Sequence, residues 1–447
     1  MATLAAAPRA AEGRPWRRAL LWLALLGPFF FASYGFANWM ASRHAALPVM
    51  AFAWETRIPF VPWTIVPYWS IDLFYAISFF LCRQRLELDR HALRLFSAQV
   101  IAVACFLLWP LRFSFERPEI GGVFGWLFDV LLGFDKPFNQ APSLHIVLLI
   151  VLWVKFAQYL HGAWRWVLHG WALLIGVSVL TTFQHHFIDI PTGLLAGWLC
   201  VWLWPEQGTP PLRAWRTARD PRRWRMALFY LLGATALLVP VVVVRDAALW
   251  LLWLLWPVVS LLLVALAYAG LGTAVFQKRA DGRLTMAARW LLAPYLGAAW
   301  INSRVWTRRA PQPVPVMDGV WLGRIPSTAL LPPLRGVVDV CAELSCRAPG
   351  AAYARVPMLD LVVPTPAQLR EAAEAIERLR AQGPLLVCCA LGYSRSAASV
   401  ATWLLCSGRA TDADAAVAIV RSARPSIVLH DSHLQAIAAA AAPESPA

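Results

Sequence analysis

The stretch Val387-Cys388-Cys389-Ala390-Leu391-Gly392-Tyr393-Ser394-Arg395-Ser396 reads as a phosphate trap. A cysteine and an arginine six positions apart can face one anion. Between them, Ala390, Leu391, Gly392, Tyr393 and Ser394 can turn their backbone N–H groups inward as an anion-binding nest. The small residues after Arg395 can start a helix whose N-terminus points at the same charge. Such surroundings favour thiolate over thiol at Cys389. A nucleophilic thiolate has to stay reduced, so the stretch belongs in a reducing compartment.

Outward from this trap, Gly336-Val-Val-Asp-Val-Cys341 and Pro384-Leu-Leu-Val-Cys-Cys389 are short apolar or β-branched runs preceded by turn residues, and they read as buried strands. Residues 366–381 and 395–407 have helical spacing, with Pro366 near a first turn. The C-terminal domain, residues 311–447, is therefore expected to be α/β, entered through a stiff linker marked by Pro311, Pro313 and Pro315. Its last ten residues read as a frayed end. Cys341, Cys346, Cys388, Cys389 and Cys406 all lie in this domain, and no disulfide framework is suggested. Cys341 and Cys346 lack a second pair at matching spacing, so they read as small core residues and not as metal ligands.

Before the linker the chain changes character. Over its 447 residues, 59% are hydrophobic and only 15% charged, and 25 are tryptophan, which places the protein among membrane proteins. Apolar runs near 19–40, 62–82, 95–111, 143–160, 164–183, 187–204, 226–244 and 247–271 are long enough to span, so about eight spans are expected. Six fall in a membrane domain, residues 1–205. Two more fall in residues 206–310, together with an interfacial segment near 284–300. The first run follows Arg14, Arg17 and Arg18, is too long for a signal-peptide core, and reads as a retained anchor.

The net charge of +15 arises mainly from arginines in short loops. That is a topogenic pattern, and it argues against nucleic acid as a partner. Arg83, Arg85, Arg90 and Arg94, then Lys155 and Arg165, then the cluster from Arg213 to Arg225, then Lys278 to Arg289, alternate with loops carrying fewer charges, the last of them only Arg245. By the positive-inside rule both termini are cytoplasmic.

Two polar segments interrupt the apolar part: Pro142-Ser143-Leu144-His145, and His185-His186-Phe187-Ile188-Asp189. Ionisable groups near spans are expensive. The residues alone allow interfacial histidines with their tips in water, or, less readily, haem ligands, although no second stacked pair recurs. Phosphoryl transfer accounts for more of them. His185 can attack phosphorus, oriented by Asp189 one helical turn on, while His145 protonates the leaving alkoxide. Arg112 and Arg117 can hold phosphate oxygens. The loop charges place all three segments on the outer side.

Arg117-Pro118, Pro142-Ser143-Leu144-His145 and His185-x-x-x-Asp189, in this order, resemble the three motifs of the type 2 phosphatidic acid phosphatase superfamily. The Ser-Leu-His form and the paired His185-His186 are most similar to its inositol phosphorylceramide and sphingomyelin synthase branch. The resemblance implies a lipid phosphatase or phosphotransferase with His185 as nucleophile, Asp189 as its orienting carboxylate and His145 as acid/base. The sequence departs from the pattern at Pro110 and Val179, where basic residues are expected, so Arg112 becomes a candidate substitute.

The C-terminal domain resembles the dual-specificity, protein-tyrosine-phosphatase-like family through Cys389-x5-Arg395-Ser396, Asp360 on an upstream loop, and Arg424-Pro425. The resemblance implies that Cys389 attacks phosphorus, Arg395 grips two oxygens, Asp360 acts as acid and then base, and Ser396 helps release the cysteinyl phosphate. Cys388 stands where that family usually has histidine, and two vicinal thiols suggest a reversible oxidised state. Ala390, Leu391 and Tyr393 add no charge to the loop, which favours a singly phosphorylated group. Neither site calls for a metal or cofactor.

The expected protein is thus a polytopic α-helical membrane bundle plus an α/β cysteine-phosphatase domain, integral to an inner or plasma membrane, with the histidine site on the outer face. Its partners are membrane lipids and a phosphorylated lipid or protein substrate. A headgroup transferase with a regulatory phosphate-binding domain is the alternative.

Overall fold

The computed structural model describes residues 13–243, 249–327, 333–346 and 348–442. Arg245 and residues 443–447, read above as loop and frayed end, lie outside them. The chain divides into two compact units: residues 1–210 with 240–253, and residues 211–239 with 254–447.

The first unit is helical: α1 (Trp16–Ala41), α2 (Ile65–Leu81), α3 (Arg85–Leu108), α4 (Gly122–Phe134), α5 (Leu144–Phe156), α6 (Ala163–Thr181) and α7 (Asp189–Leu203). Among the described residues, six helical segments of the whole chain are long and apolar enough to cross a membrane: Trp16–Ala41, Pro62–Leu81, Arg85–Leu108, Ala163–Thr181, Pro221–Val243 and Leu249–Phe276. The runs expected at 143–160 and 187–204 form the shorter helices α5 and α7. Their ends are set by polar and turn residues inside the apolar runs. The Ser143 hydroxyl caps α5 by accepting from the Ile146 N–H, and residues 185–188 turn before α7 begins. Helix α4 lies between the runs at 95–111 and 143–160, where the sequence places no span.

Helices α5 and α7 approach closely because Gly193-Leu-Leu-Ala-Gly197 gives α7 a small-xxx-small face. A Cβ at Gly193 would lie 2.7 Å from the Ile146 Cβ, and one at Gly197 2.8 Å from the Ile150 Cβ. His145 stands at the start of α5 and Lys155 near its end. The Lys155 ammonium is wholly buried and bridges Glu87 and Glu206 at 3.0 Å each, which supplies the partners a buried charge requires.

The second unit holds α8 (Pro221–Val243, assigned here through Val239), α9 (Leu255–Leu266), a π-type turn at Ala267–Leu271, α10 (Met286–Leu291) and α11 (Ala293–Trp306). The interfacial segment expected near 284–300 is thus split in two at Leu292, just before Pro294 near the start of α11. A five-stranded sheet follows, in order β1-β2-β5-β3-β4: β1 (Val314–Met317), β2 (Val320–Arg324), β3 (Gly336–Cys341), β4 (Ala352–Met358) and β5 (Leu385–Cys389). All pairs are parallel except β1 with β2. Helices α12 (Pro366–Arg380), α13 (Arg395–Cys406), α14 (Ala413–Ala423) and α15 (Asp431–Ala441) complete the unit. Helix α15 orders the first part of the expected frayed end.

Strand β5 lies between β2 and β3 and is buried along its whole length. Alternation along it sends Leu385, Val387 and Cys389 into the core shared with the helices, and Leu386 and Cys388 to the opposite face. The loop after β5 therefore leaves the carboxyl edge of a parallel sheet, where such folds place ligands.

A valine at Gly197 should overpack the α5–α7 contact by about 1–3 kcal/mol. The midpoint of thermal inactivation in detergent should fall for Gly197→Val. Gly170→Val, with nothing within 4 Å of its added Cβ, should change it little; equal effects would refute the close-packing argument.

Candidate active sites

The loop from Cys389 to Arg395 folds tightly because Gly392 takes a φ of +77°. A Cβ there would sit 2.5 Å from the Gly323 carbonyl carbon, so both its backbone conformation and the close approach of β2 require glycine. The sulfur of Cys389 accepts from the Gly392 N–H at 3.2 Å and from the Ser396 hydroxyl at 3.3 Å. Among the described residues, the N–H groups of Leu391, Tyr393 and Ser394 donate to no backbone carbonyl. The far side of the loop is pinned where the Val428 N–H donates to the Tyr393 carbonyl at 2.9 Å and where the Arg424 guanidinium stacks over the Tyr393 ring.

Arg395 opens α13 and is buried. Its Nη1 and Nη2 donate to the two carboxylate oxygens of Glu343 at 2.8 and 2.7 Å, and Nη2 also lies 3.0 Å from Asp360 Oδ1. Its Nε is a buried donor with no partner among the described residues. A buried donor without an acceptor is costly, and an anionic oxygen seated above the loop would satisfy it.

The two carboxylates facing Arg395 differ in environment. Burial raises Asp360; Arg395 pulls it down and the Glu343 charge pushes it back up, leaving it above the usual carboxylate range. Burial also works against ionised Glu343, but the charge and hydrogen bonds of Arg395 hold it below that range. The surroundings thus favour the ionised form of Glu343 and the protonated form of Asp360. Glu343 escapes a reading by motif. Its only signal is an acidic residue two positions beyond a buried strand.

Cys388 does not face Cys389. Strand alternation turns it against Cys341 and Cys346, where a hydrogen bond with Cys346 and burial push its thiol well above its ordinary value. This corrects the expectation of a redox pair between the vicinal thiols. On the same side, Lys278, from outside the domain's signature, forms a buried ion pair with Asp339 at 2.5 Å and donates to the Leu344 carbonyl at 2.8 Å.

In the first unit, His185 Nδ1 lies 3.0 Å from Asp189 Oδ2. A carboxylate only accepts, so Nδ1 carries the proton and Nε2 is the basic nitrogen. Asp189 Oδ2 also accepts from the His186 N–H at 3.1 Å. His186 is used on both sides: Nδ1 meets Glu55 Oε2 at 3.1 Å and Nε2 faces Ser114, while its ring stacks on Phe113. It is a scaffold for the turn, held by Glu55, a residue no motif singles out.

His145 stacks on Tyr68, and its Nε2 donates to the Tyr68 carbonyl at 2.7 Å, which leaves Nδ1 as its basic nitrogen. Arg117 donates to the Thr182 and Phe183 carbonyls at 3.2 and 3.1 Å, bracing the turn that carries His185. Arg112 is exposed and has no side-chain hydrogen bond among the described residues. No group of three or more His, Cys, Asp or Glu among the described residues is arranged to hold a metal ion.

Residues 335–441 match the family "Dual specificity phosphatase, catalytic domain". This part of the chain is a dual-specificity phosphatase domain. Solved structures similar to it include human DUSP28, 30% identical, covering 28% of this chain and 94% of that one with a TM-score of 0.25. A mouse dual specificity phosphatase complexed with zinc tungstate is 27% identical, with 29% and 87% covered and a TM-score of 0.24. PTPMT1 in complex with PI(5)P is 22% identical, with 28% and 92% covered and a TM-score of 0.25. No curated protein matches the chain.

Because its pKa is raised, Asp360 keeps its proton above the pH at which an unfolded carboxyl ionises and loses it as pH rises through the raised value, so a role as acid predicts an alkaline limb. Asp360→Asn should remove this alkaline limb from the kcat/KM profile. Glu343→Gln removes a negative neighbour and should shift the limb to lower pH, while costing up to about 3–5 kcal/mol for a broken buried pair. A limb that does not move would contradict the coupling.

Proposed function

We propose that the protein is an integral membrane enzyme with two phosphoryl-transfer centres: a cytoplasmic cysteine phosphatase, and an outer-facing, histidine-dependent lipid phosphatase or phosphotransferase. The domains are residues 1–205, 206–310 and 311–447, with both termini cytoplasmic. The six membrane-length helices and the loop charges support this placement.

The observation that carries the cysteine site is a buried sulfur accepting two hydrogen bonds beside an unpartnered Arg395 Nε. Cys389 attacks phosphorus in line. Arg395 and the loop N–H groups stabilise the equatorial oxygens, Asp360 protonates the leaving oxygen, and water then cleaves the cysteinyl phosphate with Ser396 assisting and Asp360 taking the proton. At the other centre, the free Nε2 of His185 is the nucleophile, Asp189 orients it, and His145 acts as acid/base.

Headgroup transfer is a second reading of the membrane centre. With Arg117 committed to carbonyls and Arg112 exposed, that centre is better matched to the single charge of a phosphodiester than to a phosphomonoester dianion. Labelled phospholipid with an alcohol acceptor should then give a new diester, where hydrolysis gives a free headgroup phosphate or inorganic phosphate.

A phosphate-release screen over lipid phosphates and phosphopeptides, run on His185→Ala and Cys389→Ser separately, assigns each substrate to its centre. Each activity should be abolished by one substitution alone. A substrate whose turnover survives both would refute the two-centre reading.

A further inference from the structure

The cysteine site is completed by helices that lie outside the phosphatase domain. The hydroxyl of Tyr268, in the π-type turn after α9, donates to the Asp360 carbonyl at 2.9 Å. Arg223 of α8 braces the turn by donating to the Tyr268 and Ala267 carbonyls at 3.0 Å each. The ring of Tyr230, also on α8, stacks on Tyr268 with centroids 5.5 Å apart and meets Tyr295 of α11 edge-on at 5.8 Å. All three tyrosines lie close enough to Glu343 and Asp360 to feel their charges. Behind the loop, the Ser303 hydroxyl of α11 donates to the Ala390 carbonyl, and Tyr393 donates to the Trp306 carbonyl.

The surface around this arrangement is apolar. Leu361, next to the acid, is 67% exposed at a φ of +59°. Ile301 and Trp306 of α11 and Phe229 and Leu232 of α8 are likewise exposed. Helix α8 is long and apolar enough to cross a membrane and begins with Arg222, Arg223 and Arg225. Tyr230 lies nine residues beyond Pro221, about 14 Å along the axis at the usual rise, so the tyrosines stand near the basic, headgroup end of this helix. A folded phosphoprotein needs a polar, open rim at this place. An acyl chain needs the rim that is present.

We infer that the phosphatase cleft takes the phosphomonoester of a membrane lipid, presented past Tyr230 and Tyr295, with buried Tyr268 backing Tyr230, while its acyl chains stay along the apolar faces of α8 and α11. The inference rests on the reading of Cys389 as a phosphatase nucleophile. Cys389 sulfur forms the S–P bond as the bond from phosphorus to the lipid oxygen breaks, and the lipid alcohol leaves with the proton of Asp360. Water then breaks the S–P bond, returning its proton to Asp360 and releasing inorganic phosphate.

The test uses the full chain carrying His185→Ala, so that the membrane centre is silent, in phosphatidylcholine vesicles containing phosphatidic acid. Glycerol 3-phosphate and a phosphotyrosine peptide are the comparators, and all rates are normalised to p-nitrophenyl phosphate. Phosphatidic acid should exceed both comparators in kcat/KM by about tenfold or more, and Tyr230→Ala should reduce that preference about tenfold. Leu361→Asn, at an exposed position whose left-handed backbone suits asparagine, should reduce it without risk to the core. A peptide or glycerol phosphate turned over as well as the lipid, with p-nitrophenyl phosphate hydrolysed, overturns the inference and leaves the phosphatase reading standing. No turnover of any substrate, or turnover surviving an added Cys389→Ser, overturns both.

Discussion

A guanidinium held between two carboxylates at the end of a buried strand is the constraint on which the phosphatase domain depends. Arg395 cannot be buried without Glu343, and Glu343 cannot stay ionised in the core without Arg395. The pair fixes the start of α13, and so the N–H groups of the loop before it. It also bears on Asp360, whose proton affinity burial raises, Arg395 lowers and Glu343 raises again. Position and proton affinity thus come from one cluster, in which the Nε of Arg395 has no partner among the described residues.

The local parts of this cluster are legible in the sequence. Cys389, Gly392 and Arg395 lie within seven residues, and the strands and helices around them follow from apolar runs and turn residues. The parts brought together only by the fold are not. Glu343 is 52 residues from Arg395, and Lys278 meets Asp339 from outside the domain signature. Neither belongs to a local pattern. Cys388 misleads for a related reason: neighbours in sequence are opposites in a strand.

The helical unit shows the same division. His185 and Asp189, one helical turn apart, are paired as their spacing suggests. Glu55, which holds His186 from 131 residues away, is invisible to such reasoning. Arg117 has the expected position and spends two of its donors on carbonyls of the turn. Apolar composition over-reads the lengths of α5 and α7, because a run of hydrophobic residues continues through caps and turns where a helix does not. The close contact of these helices depends instead on Gly193 and Gly197.

The two proposed centres apply one logic with different nucleophiles. Each holds its proposed nucleophile beside groups that orient it: the Gly392 N–H and Ser396 hydroxyl at Cys389, the Asp189 carboxylate at His185. A thiolate suits a reducing compartment and an imidazole does not require one. The claim on which this account stands most directly is that Cys389 is the atom phosphorylated. Acid quench of Asp360→Asn protein during turnover of p-nitrophenyl phosphate, followed by peptide mass mapping, tests it, because slowed hydrolysis lets the intermediate accumulate. The account predicts one phosphate on the peptide containing Cys389, absent in Cys389→Ser. Turnover that His185→Ala leaves intact, with no phosphate on Cys389, would contradict it.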